Sequence, residues 1–278
     1  MKIAVLSGKG GAGKTFVSVN LAVAAQKSTY IDCDVEEPNG HLFLKPENIE
    51  KENVYTYVPA FDSEKCTGCK KCVRFCHFNA LVFIKGKPKV FNDVCHFCGG
   101  CQMVCPSDAI TYEKRTIGVI ETGIHNKINT VTGILNTGES SSIPVIKQAL
   151  SKENPNDVTI VDSPPGSACS VMESISDADY CVLVAEPTAF GFHNFKMVYE
   201  LVKIMDKKCG VIINKSDLEY TPLTSFCNEN NLDILMEIPY TDGIAKENAN
   251  GNIISEISEK MNEKFTNVLA YIREQVEV

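Results

Sequence analysis

The segment KIAVLSGKGGAGKT, residues 2–15, indicates the fold class because it joins a short apolar run to a glycine-rich loop and then to the start of a helix. The glycines let the backbone turn tightly, so that successive N–H groups and the helix N-terminus converge on phosphate oxygens. Lys14 is then expected to contact the β- and γ-phosphates of a nucleotide, and Thr15 to offer its hydroxyl to Mg²⁺. The loop residues predicted to bind nucleotide are Gly8, Lys9, Gly10, Gly11, Ala12, Gly13, Lys14 and Thr15.

Short β-branched runs alternate with helical stretches along the chain, which predicts a mostly parallel sheet covered by helices on both faces. The predicted strands are residues 2–6, 29–32, 54–58, 117–121, 158–162, 181–185, 210–214 and 234–239. The predicted helices begin near Lys14, Ile143, Ser167, Phe192, Thr221 and Ile254. Residues 118–142, rich in Gly, Thr, Ser and Asn, are interpreted as loop or weak strand. The expected fold class is therefore α/β, a three-layer P-loop NTPase.

Eight of the 13 cysteines form two runs of the same spacing, C-x2-C-x2-C-x3-C, and the second run ends in Cys-Pro. Two such runs are the bacterial ferredoxin signature for two [4Fe–4S] clusters, in which the fourth cysteine of each run ligates the other cluster. The predicted ligands are Cys66, Cys69, Cys72 and Cys105 for one cluster, and Cys76, Cys95, Cys98 and Cys101 for the other. Zinc is the alternative that paired C-x2-C motifs allow, but the complete duplicated pattern favours clusters.

The cysteine spacing replaces hydrophobic periodicity over residues 61–115, whose two halves align as an internal duplication. We therefore expect a small α+β domain of the bacterial ferredoxin type inserted into the larger fold. The expected organisation is a P-loop ATPase domain formed by residues 1–60 and 116–278, with residues 61–115 as the insert. His77 stands where proline is common in such runs; His77 and His96 are interpreted as surface residues and not as ligands.

The charge distribution limits the partners that the protein can have. The net charge is −8, which disfavours a nucleic-acid binder. Residues 61–115 hold nine Lys or Arg and five Asp or Glu, a surplus of +4, which leaves −12 for the rest of the chain. This positive insert is explained equally well by compensation of cluster charge and by docking of an acidic partner.

The composition also bears on location. No apolar run is long enough for a membrane helix, and the N-terminal apolar stretch runs directly into the glycine-rich loop, as a buried strand does and a signal peptide does not. Thirteen cysteines without an export signal indicate metal ligation in a reducing compartment. We therefore expect a cytoplasmic protein that does not bind membranes.

A second lysine, Lys9, follows the first glycine of the loop, and this GKGGxGKT pattern resembles the deviant Walker A family of MinD, ParA and the nitrogenase iron protein. The resemblance implies an ATP-dependent homodimer in which Lys9 reaches the phosphates bound by the partner. It also implies that Asp34 positions the attacking water, as in switch I, and that Asp162 holds Mg²⁺ through water, as in switch II. The residues predicted to be catalytic are Lys9, Lys14 and Asp34.

The base-binding residues are predicted from the tetrapeptide Asn214-Lys215-Ser216-Asp217, which follows a predicted strand. It matches the N-K-x-D pattern that binds guanine in many GTPases. In the deviant Walker A family, however, the equivalent Asn contacts adenine, and Lys9 links the chain to that family. ATP is therefore favoured over GTP, with Asn214 and Lys215 as the predicted contacts.

Over essentially its whole length the chain resembles MinD-superfamily ATPases that contain an inserted ferredoxin domain. The segments that carry the resemblance, beyond the motifs above, are DVEEPNGHLFL (34–44), EKCTGC (64–69), LNTGESSSIPVI (135–146) and DSPPGSACSV (162–171). The resemblance implies ATP or ADP, Mg²⁺ and two [4Fe–4S] clusters as cofactors.

Three functions are compatible with these motifs. The first is an ATP-gated carrier that passes electrons to a redox partner, and the second is an ATPase that delivers a cluster or metal to a client metalloprotein. The third is a nucleotide-dependent positioning switch whose clusters are structural or act as sensors. The first is favoured because two complete sets of cysteine ligands predict stably held, redox-active clusters.

Cys169 lies seven residues after Asp162, where the nitrogenase iron protein places a cluster ligand at a similar distance. No cysteine between Cys105 and Cys169 supplies the second ligand that such a shared cluster needs. Cys169 is therefore interpreted either as a small buried residue or as a redox or metal-transfer residue at a dimer interface. The remaining cysteines are predicted to be packing residues: Cys33, Cys181, Cys209 and Cys227.

Overall fold

A nine-stranded sheet forms the centre of the computed structural model, which describes residues 1–217 and 220–277. The strands are β1 (Lys2–Leu6), β2 (Ser28–Asp32), β3 (Glu47–Phe61), β4 (Leu81–Ile84), β5 (Lys87–Val90), β6 (Ile110–His125), β7 (Ile128–Leu135), β8 (Val158–Asp162), β9 (Tyr180–Ala185), β10 (Cys209–Asn214) and β11 (Ile234–Ile238). Strands β4 and β5 form a separate two-stranded sheet, and the other nine form the large one. The α-helices are α1 (Lys14–Ala24), α2 (Gly40–Leu44), α3 (Lys71–Phe75), α4 (Gly100–Met103), α5 (Ile143–Leu150), α6 (Cys169–Ile175), α7 (Ala189–Ile204), α8 (Thr221–Glu229), α9 (Asp242–Ala249), α10 (Ile254–Ile257) and α11 (Glu259–Glu277).

Seven strands of the sheet run parallel, in the order β11-β10-β9-β1-β8-β2-β7. Every residue of β1 and β2 is buried, which is why these strands appear in the sequence as continuous runs without alternation. Helices α5, α6, α7 and α8 supply the apolar core on one face of the sheet, and α1, α2, α10 and α11 supply the core on the other. The predicted α/β fold class, a mostly parallel sheet between two helical layers, is confirmed.

For residues 118–142, the strand alternative is correct over most of the length and the loop alternative is wrong there. This segment contains the second half of β6 and all of β7, which pair with each other and join the parallel sheet at β2. Its glycines are needed for close packing within the sheet. A Cβ on Gly118 would lie 2.3 Å from the carbonyl oxygen of Ile134, and one on Gly133 would lie 2.6 Å from the Val35 side chain. Glycine therefore indicates a crowded strand here and not a loop.

The predicted strands 54–58 and 117–121 are parts of two much longer strands. β3 and β6 pair antiparallel from Glu47 opposite Ile124 to Phe61 opposite Ile110. We call this pair the ribbon; it forms the edge of the sheet, and residues 62–109, with both cysteine runs, connect its strands at one end. The short elements β4, β5, α3 and α4 lie within this connection.

Four predicted helix starts, Lys14, Ile143, Thr221 and Ile254, are correct, whereas α6 begins two residues after Ser167 and α7 three residues before Phe192. Helices α2, α3, α4 and α9 were not predicted. The single last helix expected from Ile254 is instead two helices, α10 and α11. Among the described residues, no helix combines the length and apolar character that a membrane crossing requires.

Candidate functional site

The carboxyl ends of β1, β2 and β8 meet at one edge of the parallel sheet, where the glycine-rich loop begins. Asp32 and Asp162 end neighbouring strands and stand opposite each other in register. Lys14, the first residue of α1, extends into this group, and its Nζ lies 2.7 Å from Asp162 Oδ1 and 3.5 Å from Asp34 Oδ2. The fold therefore brings together three of the predicted site residues from distant parts of the sequence.

The Lys14–Asp162 ion pair is almost fully shielded from solvent, since the two side chains are 6% and 0% exposed. Burial by itself lowers the pKa of Lys14, but the carboxylates of Asp162 and Asp34 outweigh it, and the net shift is upward. Lys14 therefore stays charged, as a phosphate-binding group must. Removal of one partner of a buried ion pair of this kind strongly destabilises the folded protein.

Tyr30 completes the hydrogen bonding of Asp162. Its hydroxyl donates to Asp162 Oδ2 over 2.9 Å, while Lys14 occupies the other carboxylate oxygen. Burial and then the neighbouring carboxylate raise the pKa of Tyr30, so the phenol remains a neutral donor. The sequence did not identify Tyr30, because a tyrosine in a buried strand carries no local sign of its partner.

Asp32 organises the segment that carries Asp34. Its carboxylate accepts three backbone N–H groups, from Asp34 at 3.1 Å, Asn39 at 3.0 Å and Gly40 at 2.9 Å. Burial and the charge of Asp162 raise the pKa of Asp32 to about 7. Burial also raises the pKa of Asp34, and the charge of Lys14 opposes that shift. Asp32 is thus a positioning residue, which places Asp34 at the mouth of the cleft.

The glycine-rich loop packs closely against two later segments of the chain. Gly13 has a φ of 98°, and a Cβ there would lie 2.1 Å from Asn214 Nδ2. Asn214 Nδ2 donates to the carbonyl of Ala12 over 2.9 Å, and Lys215 Nζ lies 3.5 Å from the carbonyl oxygen of Gly11. Both predicted base-contact residues therefore lie beside the loop.

Glu186 is a site residue that the sequence analysis missed. Its carboxylate forms ion pairs with both Lys9 and Lys215. Burial by itself raises the pKa of Glu186, but these two lysines outweigh it and hold the pKa below its usual range. The available signal was its position, because Glu186 directly follows β9 and so lies at the same edge of the sheet as Asp34 and Asp162.

The glycine-rich loop and the segment that carries Asp34 line a cleft of about 990 Å³, which is of the size that small-molecule and cofactor sites have. Thr15 lines it, as do Lys9, Lys14 and Asp34. Residues 136–139 and Ser142, which follow β7, form part of the opposite wall. The arrangement supplies cations for phosphate oxygens and carboxylates for a hydrated metal ion and a water molecule, which phosphoryl transfer requires.

The cysteines of the two runs line two separate cavities. One cavity is lined by Cys66, Cys69, Cys72 and Cys105. The other is lined by Cys76, Cys95, Cys98 and Cys101. Each cavity thus has three thiols from one run and the fourth from the other, the donor set that a crossed pair of [4Fe–4S] clusters requires. Within residues 1–217 and 220–277, no three His, Cys, Asp or Glu side chains converge on a position for a single metal ion.

The two histidines of the insert lie beside the second cavity and are exposed. His96 stacks on Phe78 with ring centres 4.0 Å apart, and His77 meets the edge of Phe75 at 6.2 Å. Both rings therefore lie on the surface, as the sequence analysis expected.

The remaining cysteines divide by burial. Cys169, the first residue of α6, is exposed, so its interpretation as a small buried residue was wrong. Cys33, Cys181 and Cys227 are buried and Cys209 is half-buried. The packing role predicted for these four agrees with their positions in or against the hydrophobic core.

The fold and this strand edge define a P-loop nucleotide-binding protein of the MinD/ParA type. The CobQ/CobB/MinD/ParA nucleotide-binding domain matches residues 3–254, and the chain belongs to this family. A solved structure of the septum site-determining protein MinD from Pyrococcus horikoshii, complexed with Mg-ADP, has a TM-score of 0.57 at 17% identity, covering 96% of this chain and 93% of that one.

Two relatives extend the comparison. An uncharacterised protein of Methanocaldococcus jannaschii is 28% identical over 284 residues, covering 99% of this chain and 97% of the relative. An iron–sulfur cluster carrier protein of Pyrococcus abyssi is 47% identical, but only over 58 residues, which is 19% of either chain. The first similarity spans the whole fold and the second is local.

Proposed function

We propose that the protein is an ATP-hydrolysing iron–sulfur protein, in which nucleotide-dependent switching of a homodimer controls electron transfer from two [4Fe–4S] clusters to a partner protein. The observation that carries the proposal is the division of eight cysteines, four and four, between two cavities of a chain that also forms a P-loop nucleotide cleft. The proposed insert remains residues 61–115, within a P-loop domain of residues 1–60 and 116–278.

The nucleotide half of the proposal assigns each charged group a step. Lys14 and the N–H groups of the loop bind the phosphates of ATP or ADP, and Thr15 and Asp162 hold Mg²⁺, with Asp162 acting through water. Asp34, 3.5 Å from Lys14, orients the attacking water. The Mg-ADP complex of the MinD relative from Pyrococcus horikoshii supports this choice of ligand. Asn214 and Lys215, which lie beside the glycine-rich loop, are proposed to contact the base, and the proposed base is adenine.

The proposed dimerisation rests on Lys9. Its side chain is 26% exposed and is held by Glu186, with the Phe190 ring centre 5.3 Å from Nζ. We propose that Lys9 exchanges Glu186 for the phosphates of a second copy when two cleft faces meet. Glu186 keeps its partner Lys215, so the exchange does not strand a buried carboxylate.

The cluster half of the proposal assigns the eight cysteines to their cavities as ligands. The bound clusters supply one-electron transfer. Backbone groups help to hold the thiols in place. For example, the N–H of Ala109 donates to Cys105 Sγ over 3.4 Å. Tyr112 shields the second cavity, and its hydroxyl donates to the carbonyl of Gly99 over 3.0 Å. Cys69 and Cys98 are exposed, which gives each cavity one side facing outward.

The partner is proposed to be a redox protein that docks on the insert, and the location is proposed to be the cytoplasm. Around the first cavity lie five exposed cations, which we call the basic face: Lys65, Lys70, Lys71, Arg74 and Lys87. A surface of this charge suits an acidic partner. Cys169, exposed beside the cleft, is proposed to lie at the dimer interface, where its thiol has a redox or metal-transfer role.

A second candidate function is delivery of a cluster or metal to a client metalloprotein. The local 47% identity to an iron–sulfur cluster carrier protein favours it. The two candidates differ in whether iron leaves the protein. A third, a positioning switch with structural or sensing clusters, predicts neither transfer of iron nor transfer of electrons.

The test uses protein purified anaerobically. We expect about eight iron and eight sulfide per chain, together with ATP turnover that Lys9→Ala or Asp34→Ala lowers at least about 100-fold without loss of iron. The reduction potential is then measured with ADP and with a non-hydrolysable ATP analogue, and transfer of iron to an apo-ferredoxin is measured in parallel. A nucleotide-dependent potential with retained iron supports the electron carrier, and net loss of iron to the acceptor supports delivery. Two zinc ions in place of iron would rule out both.

A further inference from the structure

We propose that the segment between β7 and α5, residues 136–142, mechanically links the nucleotide cleft to the second cysteine cavity. Arg115, Glu139 and Ser140 act as its positioning residues. The inference rests on the proposed function and names the route by which its two halves communicate. We call this segment the linker loop; it lies between the cleft on one side and the Cys95 region on the other.

At the cleft, the linker loop follows Leu135, which is hydrogen-bonded to Val35, the residue after Asp34. The N–H of Leu135 donates to the carbonyl of Val35 over 2.8 Å, and β7 pairs in register with β2, which precedes Asp34. Asn136, Thr137, Gly138 and Glu139 then line the cleft wall. A shift of Asp34 toward a bound γ-phosphate therefore pulls on Leu135, the residue directly before the linker loop.

At the insert, the same loop holds the backbone of the second cysteine run. Ser140 Oγ donates to the carbonyl of Cys95 over 3.2 Å. Arg115, on β6, binds both carboxylate oxygens of Glu139 at 2.7 and 2.9 Å and also reaches Asp93 at 3.4 Å. The Glu139 side chain is only 5% exposed, so this two-bond ion pair is shielded and directional.

A hydrophobic contact holds the second cysteine run from another side. Phe97, between Cys95 and Cys98, packs against the core on the face of the sheet that also contains α5. The run thus has a polar contact with the linker loop and an apolar contact with the nucleotide-binding fold. A movement of the linker loop relative to that core therefore has to move Cys95 relative to Phe97.

Charge supplies the differential interaction that such a link needs. Glu139 lines the cleft, so the extra negative charge of a γ-phosphate disfavours its carboxylate there and favours a tighter contact with Arg115. ADP lacks that charge. The two nucleotides therefore bias the Glu139–Arg115 pair differently, and Ser140, the next residue, carries the difference to Cys95.

The test measures amide hydrogen exchange in the loaded, full-length protein with ADP and with a non-hydrolysable ATP analogue. In the wild type we expect the exchange rates of residues 93–101 to differ by at least about fivefold between the two nucleotides. Arg115→Gln should reduce this difference to less than about twofold while ATP turnover and iron content stay near the wild-type values. Ser140→Ala, a smaller change, should reduce it partly.

Lys51→Gln is the matched control, because it removes the Lys51–Glu121 pair of the ribbon, at 2.6 Å, without touching the linker loop. It should leave the nucleotide-dependent exchange unchanged. The inference is overturned if the wild type shows no nucleotide effect at residues 93–101, or if both Arg115→Gln and Ser140→Ala retain the full effect. Failure of the proposed function would be recognised separately, because the wild-type protein would then lack iron or ATP turnover.

Discussion

Buried polar residues around Asp162 depend on one another for their hydrogen bonds. Lys14 and Tyr30 each bind one oxygen of the same carboxylate, and none of the three side chains has meaningful contact with water. Sequence reasoning identified Lys14 and Asp162 because the phosphate loop and the strand end are local patterns. It missed Tyr30 and Glu186, because their partners are far away in sequence and only the parallel register brings them together.

Removing the Tyr30 hydroxyl should destabilise the protein. Tyr30→Phe leaves one oxygen of a buried carboxylate without its donor, and hydrogen bonds to charged groups contribute about 1.5–3 kcal/mol. We expect a loss of this size in the free energy of unfolding, measured by urea denaturation of the nucleotide-free protein. Tyr57→Phe, at an exposed position of the ribbon, is the control and should change stability by less than about 0.5 kcal/mol. Equal effects of the two substitutions would contradict the role of Tyr30.

Alkylation should distinguish the exposed Cys169 from the buried Cys181 and Cys227. Burial raises the pKa of Cys181 to about 12 and that of Cys227 to about 11. A raised pKa keeps a thiol protonated below that pH, and the protonated form is not the nucleophile. At pH 8 iodoacetamide should therefore modify Cys169, which is exposed, well before Cys181 or Cys227.

Mass spectrometry of the folded protein measures the order of modification. Unfolding in urea should remove the difference, since all three thiols then face water. Modification of Cys181 in the folded protein as fast as that of Cys169 would show that burial does not protect it.

At the level of elements, the central parallel strands were predictable, whereas the sheet edge was predicted only in part, as strands 54–58 and 117–121. The buried strands β1, β8 and β9 are continuous apolar runs, which no other element of this length explains well. β6 and β7 contain glycines and threonines that locally indicate a loop. Their identity as strands depends on contacts with Val35 and on pairing with distant strands, neither of which a local pattern contains.

Gly133 gives a direct test of this explanation. Gly133→Ala places a Cβ 2.6 Å from the Val35 side chain and should cost about 1–3 kcal/mol in the free energy of unfolding. Gly243→Ala, at a position of α9 with no atom within 4 Å of the new Cβ, should leave stability unchanged or raise it by up to about 1 kcal/mol. Both are measured by thermal unfolding. A neutral Gly133→Ala would mean that the strand has room for a side chain.

At the scale of the whole molecule, charge is divided between two regions. The nucleotide-binding fold is acidic and the insert is basic, and the basic face surrounds the cavity lined by Cys66 and Cys69. Two explanations were open, compensation of cluster charge and docking of an acidic partner. They predict different responses to salt, because only docking brings two separate molecules together through solvent.

If the basic face docks a partner, electron transfer to an acidic ferredoxin should slow at least about tenfold when ionic strength rises from about 0.05 M to 0.3 M. Lys70→Glu with Lys71→Glu should slow it similarly at low salt. Lys260→Glu, at an exposed lysine of α11 outside the insert, is the control and should have little effect. Stopped-flow absorbance measures the rates. Rates that change with neither salt nor charge reversal would leave charge compensation as the explanation.

The ribbon makes β3 the last strand of the sheet, and within residues 1–217 and 220–277 no further strand pairs with its outer side. Long edge strands of this kind invite other chains to add to the sheet, which leads to fibres. The outer half of β3 opposes this with charge, since Glu47, Glu50, Lys51 and Glu52 are exposed there, and Pro59 interrupts the inner half. If two copies meet at the cleft face, as proposed, the charges and the proline on the sheet edge act as a barrier against unlimited association at another face.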